Sequence, residues 1–524
     1  MIIQNKTEKA KELINQGNLI DAENILKGIE NKYSIFELAK IRKIQGRYRE
    51  AEQLYLKSLS MTSKIKSDID TNINIELARI YTSFGNIEKA KNLYEKSLRN
   101  KISLDNNVYR ELGEAYLKIK NFDEAKKYLK KSLQLFPDDI LTQFYLSLVY
   151  RNIGSNDKSK KFLLNLLTRK EIKNSKFLYN KVLNEYEILM KKEYLESKPR
   201  EMRVTITNKC NIGCRYCDIW KDSNWQLSDT RMKEIIDSFP YLQNMYWLGG
   251  ETFLYKGFDE ILEEGSKYDT LNQTILTNGL LLNEKILEKI SKAKISLIIA
   301  IDAGKKETYE YLRRGSSWEK LCKNLELIKE VGQRTNKKIR TTFNAVISKS
   351  NYKEMFEMAE MAHKYDFNEI RFMQILGNSD ENIFLNRDID ALNYIKETIP
   401  LVEQKVKNYN IKIEQRIFSK NRMNYKDINV NFVKNNEYSL SKTDRKIMEC
   451  VTPWTQIVID SKGPMRPCVN CDDWLGDSSK QTIKEFWNSD SMQFYRKKFG
   501  EMYSCVSSDV LCGTSTAPST SLLC

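Results

Sequence analysis

Histidine is almost missing: His363 is the one imidazole in 524 residues. Paired-histidine zinc sites and facial triads are thereby excluded, so any metal must be held by other donors. Long apolar runs are missing too. The longest, Leu297 to Ile301, is far short of the ~18 residues a membrane span needs. The opening Met1-Ile-Ile-Gln-Asn-Lys6 has no apolar stretch of signal-peptide length, and a cytoplasmic protein without a membrane partner is expected. Cysteine is absent from the first 209 residues, after which ten follow at 210, 214, 217, 322, 450, 468, 471, 505, 512 and 524. In a reducing compartment that many thiols point to metal ligation rather than to disulfides. The excess of 86 Lys and Arg over 70 Asp and Glu is mostly lysine scattered along helical faces. No basic block interleaved with aromatics stands out, so a nucleic-acid partner is not expected. With 41% hydrophobic and 30% charged residues, the chain has an ordinary globular composition, and its length allows about three domains.

What is present begins with a repeat. Gly17-Asn-Leu-Ile-Asp-Ala22 recurs as Gly46-Arg-Tyr-Arg-Glu-Ala51 and Gly85-Asn-Ile-Glu-Lys-Ala90, then in degraded form as Lys120-Asn-Phe-Asp-Glu-Ala125 and Gly154-Ser-Asn-Asp-Lys-Ser159. The offsets of 29, 39, 35 and 34 residues average about 34. Leu59, Leu98 and Leu133 each follow their anchor alanine by eight residues, so the phase holds. The small residue lets two helices approach, and the Gly or Asn before it makes the turn. Residues 1–190 resemble a tetratricopeptide-repeat domain, an α-solenoid whose concave face is expected to bind a peptide or protein; a spacer or oligomerisation module is the alternative.

The cysteine-bearing part opens after Pro199, which follows a Lys/Glu-rich stretch. Arg203-Val-Thr-Ile-Thr207 alternates as a short strand and runs into Asn208-Lys-Cys210-Asn-Ile-Gly-Cys214-Arg-Tyr216-Cys217. Three thiolates at this spacing on a loop can take three irons of a [4Fe–4S] cube and leave the fourth open. A zinc knuckle would need a fourth ligand nearby, and no cysteine follows Cys217 for over a hundred residues. Asn244-Met-Tyr-Trp-Leu248 then reads as a strand ending in Gly249-Gly250-Glu251-Thr252. Paired glycines let backbone approach a ligand, and a carboxylate beside them can hold an ammonium.

Together these motifs resemble the radical S-adenosylmethionine (SAM) superfamily. The resemblance implies that Cys210, Cys214 and Cys217 hold the cluster, that Tyr216 stands beside its open iron, and that Gly249, Gly250 and Glu251 grip the methionine end of SAM. Thr252 stands where the family often has proline. Further strands end at Asn278-Gly279, Asp302-Ala-Gly304, near Asn344 and near Gln374, separated by helical patterns. Six strand–helix units imply the superfamily's partial (β/α)6 barrel, an α/β fold with its site at the C-terminal strand ends. Asn278, Asp302 and Asn344 are candidates to bond the SAM ribose or the substrate, with turn or cap roles as the alternative. Cys322 lies in a helical pattern and reads as a small core residue, although a thiol there could also donate a hydrogen atom.

After a polar stretch from about 402 to 445, Cys450-Val-Thr-Pro-Trp454 opens a last segment. A strand at Thr455–Asp460, a turn at Gly463 and a return to Cys468 would bring two thiols together at the ends of a hairpin. The pattern resembles the SPASM/twitch extension of radical SAM enzymes, which implies an auxiliary [4Fe–4S] cluster on Cys450, Cys468 and some of Cys471, Cys505 and Cys512; a thiolate zinc is the competitor. Residues 504–524 break with the composition of the rest. The expected organisation is multidomain: solenoid 1–190, barrel 198–400, a connecting segment 401–445, and a Cys-rich α+β extension 446–524. The expected activity is reductive cleavage of SAM followed by hydrogen abstraction. Its substrate would be a peptide or protein docked by the repeats, or a small molecule such as a sugar with the repeats binding a partner enzyme. A reductant protein is a further expected partner. A non-catalytic scaffold is the remaining reading.

Overall fold

The computed structural model describes residues 2–61, 68–84, 86–99, 107–222, 225–335, 337–375, 379–418, 450–468, 475–477 and 480–501. They fall into two compact units: Met1–Phe162 with Gly332–Lys338, and Leu163–Val331 with Ile339–Cys524. Among the described residues no helix is long and apolar enough to cross a membrane.

The first unit is helical, built of antiparallel pairs such as Lys32–Ile44 with Tyr48–Ser60 and Asn107–Lys118 with Phe122–Leu135. Each anchor alanine, Ala22, Ala51, Ala90 and Ala125, is fully buried where two helices cross. The turn before it needs left-handed backbone. Gly17, Gly46 and Gly154 adopt φ of +81°, +74° and +76°, and Lys120 takes +62° in the degraded copy. Asn18, Asn86 and Asn121 follow as N-caps, each accepting from the backbone N–H three residues on. The repeat is therefore a repeat of turn chemistry as much as of apolar packing.

The second unit is a ten-stranded sheet. Six parallel strands form its middle: β1 (Glu201–Thr207), then β3 (Asn244–Gly249), β4 (Asn272–Thr277), β5 (Ile295–Ala300), β7 (Arg340–Ile347) and β8 (Glu369–Gln374). These are the six strands expected from the sequence. Helices such as Phe258–Ser266, Glu284–Lys292 and Trp318–Arg334 connect them, and Val204, Trp247, Ile275, Leu297, Phe343 and Phe372 fill the core. A separate two-strand ribbon joins β2 (Gly213–Cys214) to β6 (Arg313–Arg314).

Three expectations change. Residues 401–415 are not a connector. The helix Ile389–Asn408 buries Val402 and Val406, and β9 (Lys412–Gln415) adds to the sheet in parallel beside β8. The helix Lys176–Leu189, expected in the solenoid, belongs to the sheet-bearing unit. Its Glu185 pairs with Arg200 at 2.7 Å with both side chains buried, and Asn184 donates to the Trp454 carbonyl at 2.7 Å. Finally, β10 (Gln456–Ile459) is buried at every position and lies inside the sheet, parallel to β1 on one side and antiparallel to β11 (Pro464–Arg466) on the other. The C-terminal hairpin thus extends the barrel sheet, and β12 (Gly476–Asp477) completes that edge.

Candidate functional site

Parallel strands all end on one edge, and that edge collects the chemistry. Cys210, Cys214 and Cys217 lie on the loop after β1, each half-buried. The loop is held at both ends: Asn208 N–H donates to the Trp225 carbonyl at 2.9 Å, and Trp220 Nε1 donates to the Cys214 carbonyl at 3.2 Å. Burial raises the Cys210 thiol, and pushes Cys214 up to about 11 against the pull of Arg313. Among the described residues no three His, Cys, Asp or Glu side chains converge to hold a single ion. A cube takes one thiolate per iron, so its ligands need not converge on one ion.

The paired glycines have a structural reason on the page. A Cβ on Gly249 would sit 2.5 Å from the Thr207 carbonyl oxygen, and one on Gly250 would sit 2.6 Å from that of Asn208. Gly249 also takes φ +153°. Gly250 N–H donates to Thr207 O at 2.8 Å and Glu251 N–H to Lys209 O at 2.7 Å. What the glycines admit is this chain's own cysteine loop, packed directly against the end of β3.

Glu251 is fully buried. Its carboxylate accepts from Thr277 Oγ1 at 2.8 Å, Asn278 N–H at 2.8 Å and Phe253 N–H at 3.3 Å. Three donors leave one of its roughly four lone-pair sites open, and no cation bonds it directly among the described residues. Burial raises its carboxyl above the usual range. Asn278, also buried, reaches the cysteine loop, with Nδ2 donating to Asn211 Oδ1 at 2.8 Å.

Asp302 and Tyr216 meet. The Tyr216 hydroxyl donates to Asp302 Oδ2, which also takes the Arg313 guanidinium, while Asp302 Oδ1 accepts from Val346 N–H at 2.7 Å. Asn351 donates to the Asp302 carbonyl at 2.6 Å, and Asp302 itself holds φ +63°. Arg313 turns its other face to Cys214, with Nη1 at 3.8 Å from Sγ. Asp302 is thus committed inside the protein. Asn344 is half-buried on β7, level with Ala300 of β5.

Elsewhere, Cys450 is buried and Cys468 is half-buried, flanking the β10–β11 hairpin. Cys471, Cys505 and Cys512 lie outside the described residues. Cys322 is hydrogen-bonded to the Tyr365 hydroxyl in the helical layer, and His363 stacks on Tyr409 with ring centroids 4.0 Å apart. The sequence reading missed Arg313, Asn211, Thr277 and Asn351. Nothing in one dimension marks Arg313 among 86 Lys and Arg.

A parallel α/β sheet whose strand ends gather three thiols, a buried carboxylate and a glycine pair defines the class. Comparison with known families agrees. The radical SAM superfamily matches residues 204–362, tetratricopeptide repeats match 30–103 and 107–139, and the iron–sulfur cluster-binding SPASM domain matches 450–507. The chain thus carries a radical SAM enzyme domain, with tetratricopeptide repeats ahead of it and a SPASM domain behind it. A radical SAM domain implies a [4Fe–4S] cluster and SAM, and a SPASM domain implies auxiliary iron–sulfur clusters. The residues present fit that pair: three thiols border one loop, and a buried carboxylate with an open acceptor site lies beside it.

Among curated proteins, GTP 3',8-cyclase of Clostridium botulinum is 24% identical over 184 residues, 33% of this chain and 56% of that protein. The chain spans about half the length of the curated relatives it matches. Among solved structures, SuiB of Streptococcus suis bound to SAM superposes with a TM-score of 0.46 at 17% identity, over 71% of this chain and 87% of SuiB. The anSMEcpe structure with bound AdoMet and Cp18Cys peptide gives 0.42 at 18% identity, over 58% and 83%.

Proposed function

We propose that this chain reductively cleaves SAM and modifies a peptide or protein by hydrogen abstraction, with the repeats presenting the substrate. The observation that carries the reading is the buried carboxylate of Glu251, which retains an acceptor site and lies beside a loop of three thiols. When bound, the cluster and SAM would supply the one-electron chemistry for hydrogen abstraction from the substrate. Cys210, Cys214 and Cys217 hold the cluster. Glu251 receives the methionine ammonium on its remaining acceptor site, and Gly249 and Gly250 keep the loop seated. Tyr216 and Asp302 act through Arg313 as positioning residues, because their polar atoms are engaged with one another. Asn278 and Asn344 stand where the ribose or the substrate would lie. Cys450 and Cys468, with partners among Cys471, Cys505 and Cys512, hold the auxiliary cluster, and a reductant protein supplies the electron.

A second reading is a small-molecule substrate, with the repeats binding a partner enzyme. It draws support from the curated relatives, which are named for a nucleotide. A test comes from anaerobic reconstitution of the full chain with iron, sulfide, SAM and dithionite. The wild type should form 5'-deoxyadenosine and Cys214→Ala should form none, since a cube deprived of one of three ligands is not held. Product from Cys214→Ala at the wild-type rate would refute the assignment. Substrate class is then decided by which of a peptide or a nucleotide raises the rate.

A further inference from the structure

We propose that the outer face of the β2/β6 ribbon is a docking surface for the electron donor, an acidic protein carrying a one-electron centre. The proposal rests on the reading of Cys210, Cys214 and Cys217 as cluster ligands, and adds where their reductant binds.

The ribbon has two unlike faces. Cys214 and Arg313 turn inward, half-buried and buried. Their neighbours Arg215 and Arg314 are exposed. Arg215 stacks on Tyr311 with its guanidinium carbon 3.9 Å from the ring centroid, and its Nε donates to the Tyr311 carbonyl at 2.9 Å. Arg314 lies 5.6 Å over the Trp220 ring, and Trp220 is tied to the Cys214 carbonyl. Tyr311 is 47% exposed and Ile219, beside Trp220, is 42% exposed. Tyr, Trp and Arg together are the composition of interface hot spots, and here stacking and hydrogen bonds hold them in place before any partner arrives.

Charge selects the partner. Beside Ile219 and Trp220, the Asp218 carboxylate is paired with Lys221 at 2.7 Å. Neither Arg215 nor Arg314 has a carboxylate within ion-pair distance among the described residues, so two fixed cations remain for an acidic surface on a chain of net charge +16. Such complementarity speeds encounter and fixes orientation. Position selects the role, because electron tunnelling falls off steeply with distance, and Arg215 directly follows Cys214 while Arg314 directly follows Arg313, whose Nη1 lies 3.8 Å from the Cys214 sulfur. In the step, the donor loses one electron and the oxidised cluster gains it; no bond changes and no proton is required.

The full-length, reconstituted chain is titrated with a purified acidic flavodoxin by calorimetry across a salt series. Reduction of the cluster by flavodoxin hydroquinone is compared with reduction by dithionite. The wild type should bind saturably and more weakly as salt rises. The Arg215→Glu/Arg314→Glu double variant should lose at least tenfold in affinity and in flavodoxin-driven reduction, and keep dithionite-driven 5'-deoxyadenosine formation within twofold. Arg314→Glu alone leaves the Arg215–Tyr311 bond in place, and should show a smaller loss of the same kind if the double variant unfolds. Unchanged affinity and reduction in these variants, or no salt-sensitive binding to the wild type, would overturn the proposal. So would dimerisation of the wild type that the double variant abolishes while donor affinity stays unchanged. Failure of the wild type to cleave SAM with dithionite would overturn the functional reading instead, with the titration still deciding the surface.

Discussion

At Glu251 a carboxylate is buried with no directly bonded cation among the described residues, and burial raises its pKa. A carboxyl raised in this way is favoured in its protonated form, whereas the ionised form is the one that attracts an ammonium. The affinity for SAM should therefore rise as pH is raised above the ordinary carboxylate range. Calorimetric titration of SAM across pH 5 to 8 should show the rise, and Glu251→Gln should flatten it; an identical profile in Glu251→Gln would dismiss this role. Gly250 supplies a second residue-scale test. An added methyl must displace the Asn208 and Lys209 carbonyls that begin the cysteine loop. Gly250→Ala should lower the iron retained by the loop after reconstitution, with the far-ultraviolet circular dichroism unchanged. Overpacking of this kind costs about 1–3 kcal/mol.

The element that departs furthest from its sequence-based assignment is the helix Lys176–Leu189. Its Glu185 and Arg200 are both buried and paired, and Glu187 accepts Glu196 N–H at 2.7 Å and the Ser197 hydroxyl. These bonds fasten the helix to the segment that leads into β1. Removing one partner of a buried pair strands the other, at a cost of about 3–5 kcal/mol. Glu185→Ala should lower the denaturant midpoint of the sheet-bearing unit accordingly, while Glu185→Leu/Arg200→Met should recover most of the loss. A change below ~1 kcal/mol in Glu185→Ala would mean that water reaches Arg200 and solvates it.

For the whole molecule, the division into units sets where the chain can be cut. A chain beginning at Leu163 keeps the helix Lys176–Leu189 and every proposed cluster and SAM ligand; one beginning at Lys191 loses Glu185 and Glu187. The longer truncation product should cleave SAM with dithionite at close to the full-length rate, and the shorter one should be poorly folded. Turnover of the true substrate should fall in both, with the loss in KM rather than in kcat if the repeats serve capture. Equal kinetics in the Leu163 product and the full chain would assign the repeats another task.

Local chemistry explains how much could be read in one dimension. The repeat period was legible because each copy needs the same turn and the same small residue at a helix crossing. The six parallel strands were legible because each ends in a cluster of turn or polar residues after an apolar run. The cysteine loop and Gly249-Gly250-Glu251 stand out because their constraints lie within a few residues. Arg313, Asn211, Thr277 and Asn351 were not legible, because each acts on a residue 26 to 99 positions away, apart from the local contact of Arg313 with Asp302. Only the folded sheet brings β3, β4, β5 and β7 to end on one edge. For the same reason, only the tertiary structure decided that Asp302 faces Arg313 and Tyr216, that residues 412–415 extend the sheet, and that β10 pairs with β1: partners across a sheet are chosen by topology and burial, which no local pattern encodes.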